Sequence, residues 1–240
     1  MVITFDAERR SDSPYVERIW HSHSEEGGPF RSIAESRWEI CVMRVESRTS
    51  LLVRGPETRA TPAFCPPEGE WLGIRFKVGT FLPAFLPGSL TDGAAMLSDN
   101  ATRTFHLDGG RWEFPTFENA DTFVSRLVRS GLLLRDPVLD EALCGLPPTE
   151  SLRTIQRRFA RVAGMSRTGV LQIERARYAT LLLRGGASIF DAAFDAGYYD
   201  QAHLTHSLKR FIGMTPAEVV RAGESQQLSF LYKTAPLPAT

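Results

Sequence analysis

The stretch SIFDAAFDAGYYDQAHLTHSLKRFIGMTP, Ser188 to Pro216, decides the fold of the C-terminal part. Ser188, with Asp191 three residues on, has the form of a capped helix start, and Ile189, Ala192 and Ala193 follow as a small apolar face. Gly197 ends that helix and Asp200 can cap the next. At about 100° per residue, Leu204, Leu208 and Phe211 share one side of this second helix. Ala202, His206 and Lys209 lie opposite, flanked by His203, Thr205 and Arg210. Two short helices meeting at a glycine turn, the first with alanines that permit close approach, describe a helix-turn-helix. Its outward face would then meet a DNA major groove. On periodicity alone, the same face also reads as the solvated side of an ordinary surface helix.

Working outward, SLRTIQRRFARVAG (Ser151 to Gly164) repeats the pattern. A capping serine precedes Leu152, Ile155, Phe159 and Val162 on one side, while Arg153, Gln156, Arg157, Ala160 and Arg161 project away. Arginine can grip guanine or phosphate and glutamine can read adenine, so this face has suitable chemistry. Charge agrees: Lys plus Arg equals Asp plus Glu at 28 each, yet between Thr149 and Arg221 eleven basic residues face six acids. That segment carries a balance of about +5 and the remainder about −5, which suggests two jobs, the basic one turned towards a polyanion.

The motifs QRRF (Gln156 to Phe159), GMS (Gly164 to Ser166), the Arg175, Ala179, Leu182, Leu183 series, SIFDAAFDAGYYDQAHL and LKRFIGMTP together resemble the AraC family of transcription regulators over about ninety residues from Asp136. The resemblance implies two helix-turn-helix units bridged by a linker helix, each placing a recognition helix in the DNA major groove. On this sequence it points to Arg153, Gln156 and Arg157 in the first unit and to Gln201, Ala202, His203, Thr205 and His206 in the second. Thr154, Arg161 and Lys209 complete the DNA-binding candidates, and Arg175 reads as a buried ion pair or cap. Two departures stand out. Between Asp136 and Ser151 there is room for only one short helix, so the helix that supports the first recognition helix looks deleted unless Leu139 to Cys144 replace it. His206 stands where the family commonly carries Arg, which makes it a weaker, pH-sensitive partner, and Leu208 stands where an aromatic is usual.

The first half reads as β. WEICVMRV, TSLLVRG, RATPAFCP and WLGIRFKVG, within Trp38 to Gly79, are short branched or aromatic runs bounded by Gly or Pro, and Thr102 to Pro115 looks like a hairpin around Asp108-Gly109-Gly110. FENADTFVSRLVRSGLLL, from Phe117, then has helical spacing. The expected fold class is α+β: an N-terminal β-rich, cupin-like barrel or sandwich with a closing helix, and a C-terminal all-α AraC-type helix-turn-helix domain. The expected boundaries are 1–115 for a sensor or dimerisation domain, 116–135 for the closing or linking helix, 136–223 for the DNA-binding domain and 224–240 for a tail.

His21 and His23, with Glu25 and Glu26 nearby, are weak metal candidates, because the second half-motif of a cupin site is missing and His106 is the only distant partner. Trp20, Trp38, Trp71, Phe76 and Trp112 could line an effector pocket, although aromatics at strand positions usually form core. No glycine-rich phosphate loop, GxSxG or HExxH occurs, so neither an enzyme nor a cofactor is expected. Cys41, Cys65 and Cys144 are widely spaced, which fits a reducing cytoplasm, and no signal peptide or membrane span is legible. The expected partners are double-stranded DNA, a small-molecule effector and, for the sensor domain, a second copy of the chain. The runner-up reading is a cupin-like ligand- or protein-interaction module whose degenerate helical part no longer binds DNA.

Overall fold

The structure, a computed structural model, describes residues 3–100, 104–147 and 150–222; the expected tail lies outside the described residues. It opens with β1 (Thr4–Arg9), β2 (Val16–Ser24), β3 (Gly28–Ser32), β4 (Glu39–Val45), β5 (Arg48–Arg54), β6 (Thr61–Cys65) and β7 (Gly69–Phe76). A short β8 (Thr80–Phe81), a tight helical turn at Pro87–Ser89, β9 (Ala94–Asn100) and the hairpin β10 (Thr104–Leu107) and β11 (Gly110–Glu113) lead to α1 (Ala120–Arg129). After β12 (Leu134–Arg135) the chain is helical: α2 (Pro137–Leu143), α3 (Leu152–Arg158), α4 (Arg167–Arg184), α5 (Ile189–Asp195), α6 (Gln201–Phe211) and α7 (Pro216–Ala222). The molecule is therefore α+β, as its sequence implies.

The main sheet is antiparallel with order β1-β2-β7-β4-β5-β9, and among the described residues nothing joins β1 to β9 to close a barrel. Strand alternation gives it two unlike faces. Ile40, Val42, Leu51, Val53, Leu72 and Ile74 build an apolar core that α1 covers with Phe123, Val124 and Leu127 and the β10–β11 hairpin with Phe105 and Trp112. Trp38 stacks on Phe76 with ring centroids 4.1 Å apart and donates its indole N–H to the Thr80 carbonyl at 2.5 Å. These two aromatics are core rather than the wall of an effector pocket.

The opposite face combines a small apolar cluster of Trp20, Cys41, Phe5 and Trp71 with buried charges. Trp20 lies directly over Gly73, where a Cβ would fall inside the indole ring, so only glycine permits that approach. Register places Glu39 opposite Arg54 on β5 and Arg75 on β7, and its carboxylate reaches Arg54 at 3.3 Å and Arg75 at 3.4 Å. The space among these residues holds a cavity of only about 20 Å³.

Trp20 to Ser24, which carries the weak metal candidates His21 and His23, is part of strand β2. His21 and His23 alternate along β2 and both turn to Asp6 of β1, through Nδ1 contacts of 3.1 Å and 2.6 Å. Among the described residues no group of three or more His, Cys, Asp or Glu side chains is arranged to hold a metal ion.

Among the segments of the β-rich half that touch the helical half, Ser32 to Arg37 carries the buried charges and enters the helical core. Ile33 and Ala34 are buried in the same core as Ile173, Ala176, Leu204, Leu208 and Phe211. The Ala34 N–H donates to the Phe211 carbonyl at 2.7 Å, and its carbonyl accepts from Arg177 at 3.0 Å. Glu35 sits between Arg75 at 3.0 Å and Arg177 at 3.2 Å, while Ser36 and Arg37 both reach Glu174, at 2.6 and 2.5 Å. The buried basic residue of the linker helix is therefore Arg177, with no exposed surface, and not Arg175. Arg175 is exposed and lies over the Tyr198 ring, 5.7 Å from its centroid.

Burial acts to raise the Glu35 carboxyl, but the guanidiniums of Arg177, Arg75 and Arg37 outweigh it and hold the group at about 2. Glu17, on the same Arg37 at 2.8 Å, goes the other way: burial raises it and Arg37 only partly offsets this.

Candidate nucleic-acid interface

In the second unit each local signal has its physical counterpart. The Ser188 hydroxyl accepts from the Asp191 N–H at 3.1 Å and caps α5, and Ala192 and Ala193 are buried. Gly197 takes φ 71°, the left-handed value that makes the turn. Asp200 then accepts from the His203 N–H at 2.7 Å and starts α6, a type of cap worth about 1 kcal/mol. Leu204, Ser207, Leu208 and Phe211 anchor α6 in the core. Tyr198 fixes its near end by sharing a 2.8 Å hydrogen bond with Ser207 and by meeting the His203 ring edge-on at 5.1 Å.

That anchoring turns Gln201, Ala202, His203, His206 and Lys209 outward, all exposed. Thr205 is half-buried, and its hydroxyl donates to the Gln201 carbonyl at 2.7 Å, leaving oxygen lone pairs but no free proton for a partner.

In the first unit Ser151 caps α3 by accepting from the Thr154 N–H at 3.2 Å, which leaves Thr154 half-buried. Arg153, Gln156 and Arg157 are exposed on α3, and Arg161 is exposed on the wider π-helical turn Phe159–Ala163 that continues it. Leu152, placed on the apolar side by periodicity, is 71% exposed because the helix has only begun at that point. Arg158 of the QRRF motif is engaged inside the protein, by Glu150 at 2.7 Å and Asp136 at 2.7 Å.

Between Asp136 and Ser151 the described chain forms the one short helix its length allows, α2, capped by Asp136 and burying Leu139 and Leu143, so Leu139 to Leu143 stand in for the missing support. They are not the whole support. Val78 is buried with Leu139, Leu143, Ile155, Phe159 and Val162, and Phe81 packs against the same cluster, so the β-rich half supplies part of the core beneath α3. Pro87–Ser89 lies against the Phe159–Ala163 turn, and the Thr91 hydroxyl donates to the Gly164 carbonyl at 2.9 Å.

Comparison with known proteins agrees with this geometry. The model of a helix-turn-helix domain family matches residues 150–222. Residues 150–222 are an AraC-type helix-turn-helix domain. The chain is similar to the virulence regulon transcriptional activator VirF of Yersinia enterocolitica and to the thermoregulatory protein LcrF of Yersinia pestis, each 38% identical over 68 residues. Those matches cover 28% of this chain and 25% of each relative, so the chain spans about a quarter of the length of the curated relatives it matches. No solved structure matches the chain significantly.

The AraC-type domain thus presents two capped helices with their polar faces outward. The sequence reading missed Arg175 as an outward cation beside Tyr198, because periodicity along α4 does not tell which of its arginines meets Glu35. No described helix is long and apolar enough to cross a membrane.

Proposed function

We propose that the protein is a sequence-specific DNA-binding transcription regulator in which the outward faces of α3 and α6 read bases in the major groove. The observation that carries this reading is α6: a helix capped and anchored on one side, with Gln201, Ala202, His203 and His206 exposed on the other, inside an AraC-type domain. Gln201 suits adenine, the histidines suit base edges or phosphates, and Arg153 and Arg157 suit guanine or phosphate. Lys209, Arg161 and Arg175 hold phosphates and fix register.

Within this proposal the chain divides at the boundaries read from the sequence. The β-rich half acts as the control domain, through an effector or a second copy of the chain. A second reading, a protein-interaction module, draws on Phe190, Phe194 and Tyr199, which are 76–92% exposed along α5 and its turn.

The test is selection of bound duplexes from a random library, with wild type, Arg157→Ala and Gln201→Ala. Two sequence blocks about one helical turn apart, with one block relaxed in each variant, support the proposal. No enrichment by any of the three proteins would sink it and leave the interaction module.

A further inference from the structure

The C-terminal end of α6 does not project freely from the protein. Its last carbonyls are bonded by the β-rich half: the Ala34 N–H donates to Phe211 at 2.7 Å and the Ala60 N–H donates to Arg210 at 3.0 Å. The Arg31 guanidinium lies against Gly213, where a Cβ on that glycine would collide with it. Arg31 and Arg59 are both exposed, and no carboxylate among the described residues pairs with either. Next to them stand Lys209 and Arg210 on the last turn of α6 and Arg221 on α7. Arg31 and Arg221 share a shallow cleft of about 380 Å³ with Glu218, whose carboxylate is already held by the Thr215 N–H at 2.7 Å and hydroxyl at 2.8 Å. Five cations therefore rim the end of α6, and the carboxylates beside them are engaged, Glu218 by Thr215, Glu57 by Arg54 and Ser32, and Asp92 by Thr58.

Resting on the DNA-binding reading of α6, we infer that Arg31 and Arg59 bind phosphates of the same duplex, so that the β-rich half is part of the DNA-binding surface. Length makes the argument. An 11-residue helix is roughly 16 Å long, whereas the major groove is about 12 Å wide. With Gln201 to His206 at the bases, the last turn stands at the groove wall, where the phosphates run. The Ala60 hydrogen bond fixes Arg59 at that level, and the contact with Gly213 does the same for Arg31. Such contacts position the protein and add salt-dependent affinity without reading sequence.

The experiment uses the full chain and the duplex it selects, with binding measured between 50 and 200 mM salt for wild type, Arg31→Ala/Arg59→Ala, Arg31→Lys/Arg59→Lys and Gln201→Ala. Each phosphate contact adds about 0.9 to the slope of log affinity against log salt. The expected result is a slope lower by roughly 1.8 for the double Ala variant, unchanged base preference, and recovery of the slope in the double Lys variant. Circular dichroism confirms that the exposed substitutions leave the fold intact. A wild-type slope in the double Ala variant, while Gln201→Ala relaxes base preference, would overturn the inference and leave the α6 reading standing. Equal, preference-free binding by wild type and Gln201→Ala would overturn the α6 reading, and this inference with it.

Discussion

Replacing Glu35 by Gln tests how the two halves are held together. Glu35 is the shared anion of Arg177 and Arg75, which are 0% and 2% exposed. Its carboxyl is depressed from the usual 4.5 to about 2, so the ionised form is favoured by about 3 kcal/mol in the folded protein. Removing one partner of a buried pair typically costs about 3–5 kcal/mol; here Arg177 loses Glu35, while Arg75 keeps Glu39 at 3.4 Å. The two routes agree, and with a urea dependence of about 2–3 kcal/mol per molar the unfolding midpoint should fall by roughly 1–2 M. The assay is equilibrium urea unfolding, followed by tryptophan fluorescence and far-UV circular dichroism. A folded pKa below the unfolded one contributes stability above the unfolded value and loses it as pH falls through the folded value. Wild type should therefore lose this contribution between about pH 4.5 and 2, and the variant should be flatter there. A destabilisation of about 1 kcal/mol or less, the size of an exposed pair, would refute the claim that Glu35 is the docking anion.

Four further outcomes follow from the same contacts. Glu17→Gln should be neutral or stabilising at pH 7, since burial raises the Glu17 carboxyl and its ionisation opposes folding above that raised value; a loss like that of Glu35→Gln in urea unfolding would contradict this. In a fragment of residues 136–222 the α3 amides should exchange with deuterium without protection while those of α6 stay protected, because Val78 and Phe81 are missing from the core under α3; protected α3 amides would show that α2 suffices. Cys144, exposed, should react with a thiol reagent in native protein, while Cys41, which burial and then Glu39 push up to about 12, should react only on unfolding, as mass spectrometry of the labelled peptides would reveal. His206→Arg should tighten DNA binding near pH 7.5 and steepen its salt dependence by up to about 0.9, and a flat response in a titration would place His206 off the interface.

What could be read in the sequence depended on how local its causes are. The α5–turn–α6 unit was legible because Ser188, Gly197 and Asp200 act within three or four residues, and the apolar side repeats every turn. Strands β4 to β7 and the β10–β11 hairpin showed through branched residues and turn signals in the same way. In β2 the alternation is filled by His21 and His23, which answer to Asp6 across the sheet, so its strand character did not show. The choice of Arg177 over Arg175 was hidden, since its cause is a segment 143 residues away, and SIAESR at Ser32 to Arg37 has the composition of an ordinary loop. What makes up for the shortened stretch before α3 was hidden for a related reason. The residues that make up for it, Val78 and Phe81, belong to a different part of the chain.

On the proposed function, this arrangement limits how a signal in the β-rich half would reach α3 and α6. A ligand shifts an equilibrium only by binding its states unequally, so control needs a second state of the docking contacts. Undocking would expose the two units to unequal losses. The second keeps Ile173, Leu204, Leu208 and Phe211 from its own helices and gives up Ile33 and Ala34, whereas the first loses Val78, Phe81 and the Thr91 bond to Gly164. Separation would thus weaken α3 before α6, and would also remove Arg31 and Arg59 from beside α6. Undocked protein should therefore read only the half of its site that faces α6, with a lower salt slope. Footprinting Glu35→Gln on the selected duplex tests this order of loss: protection fading first over the α3 half supports it, and protection fading evenly over both halves contradicts it.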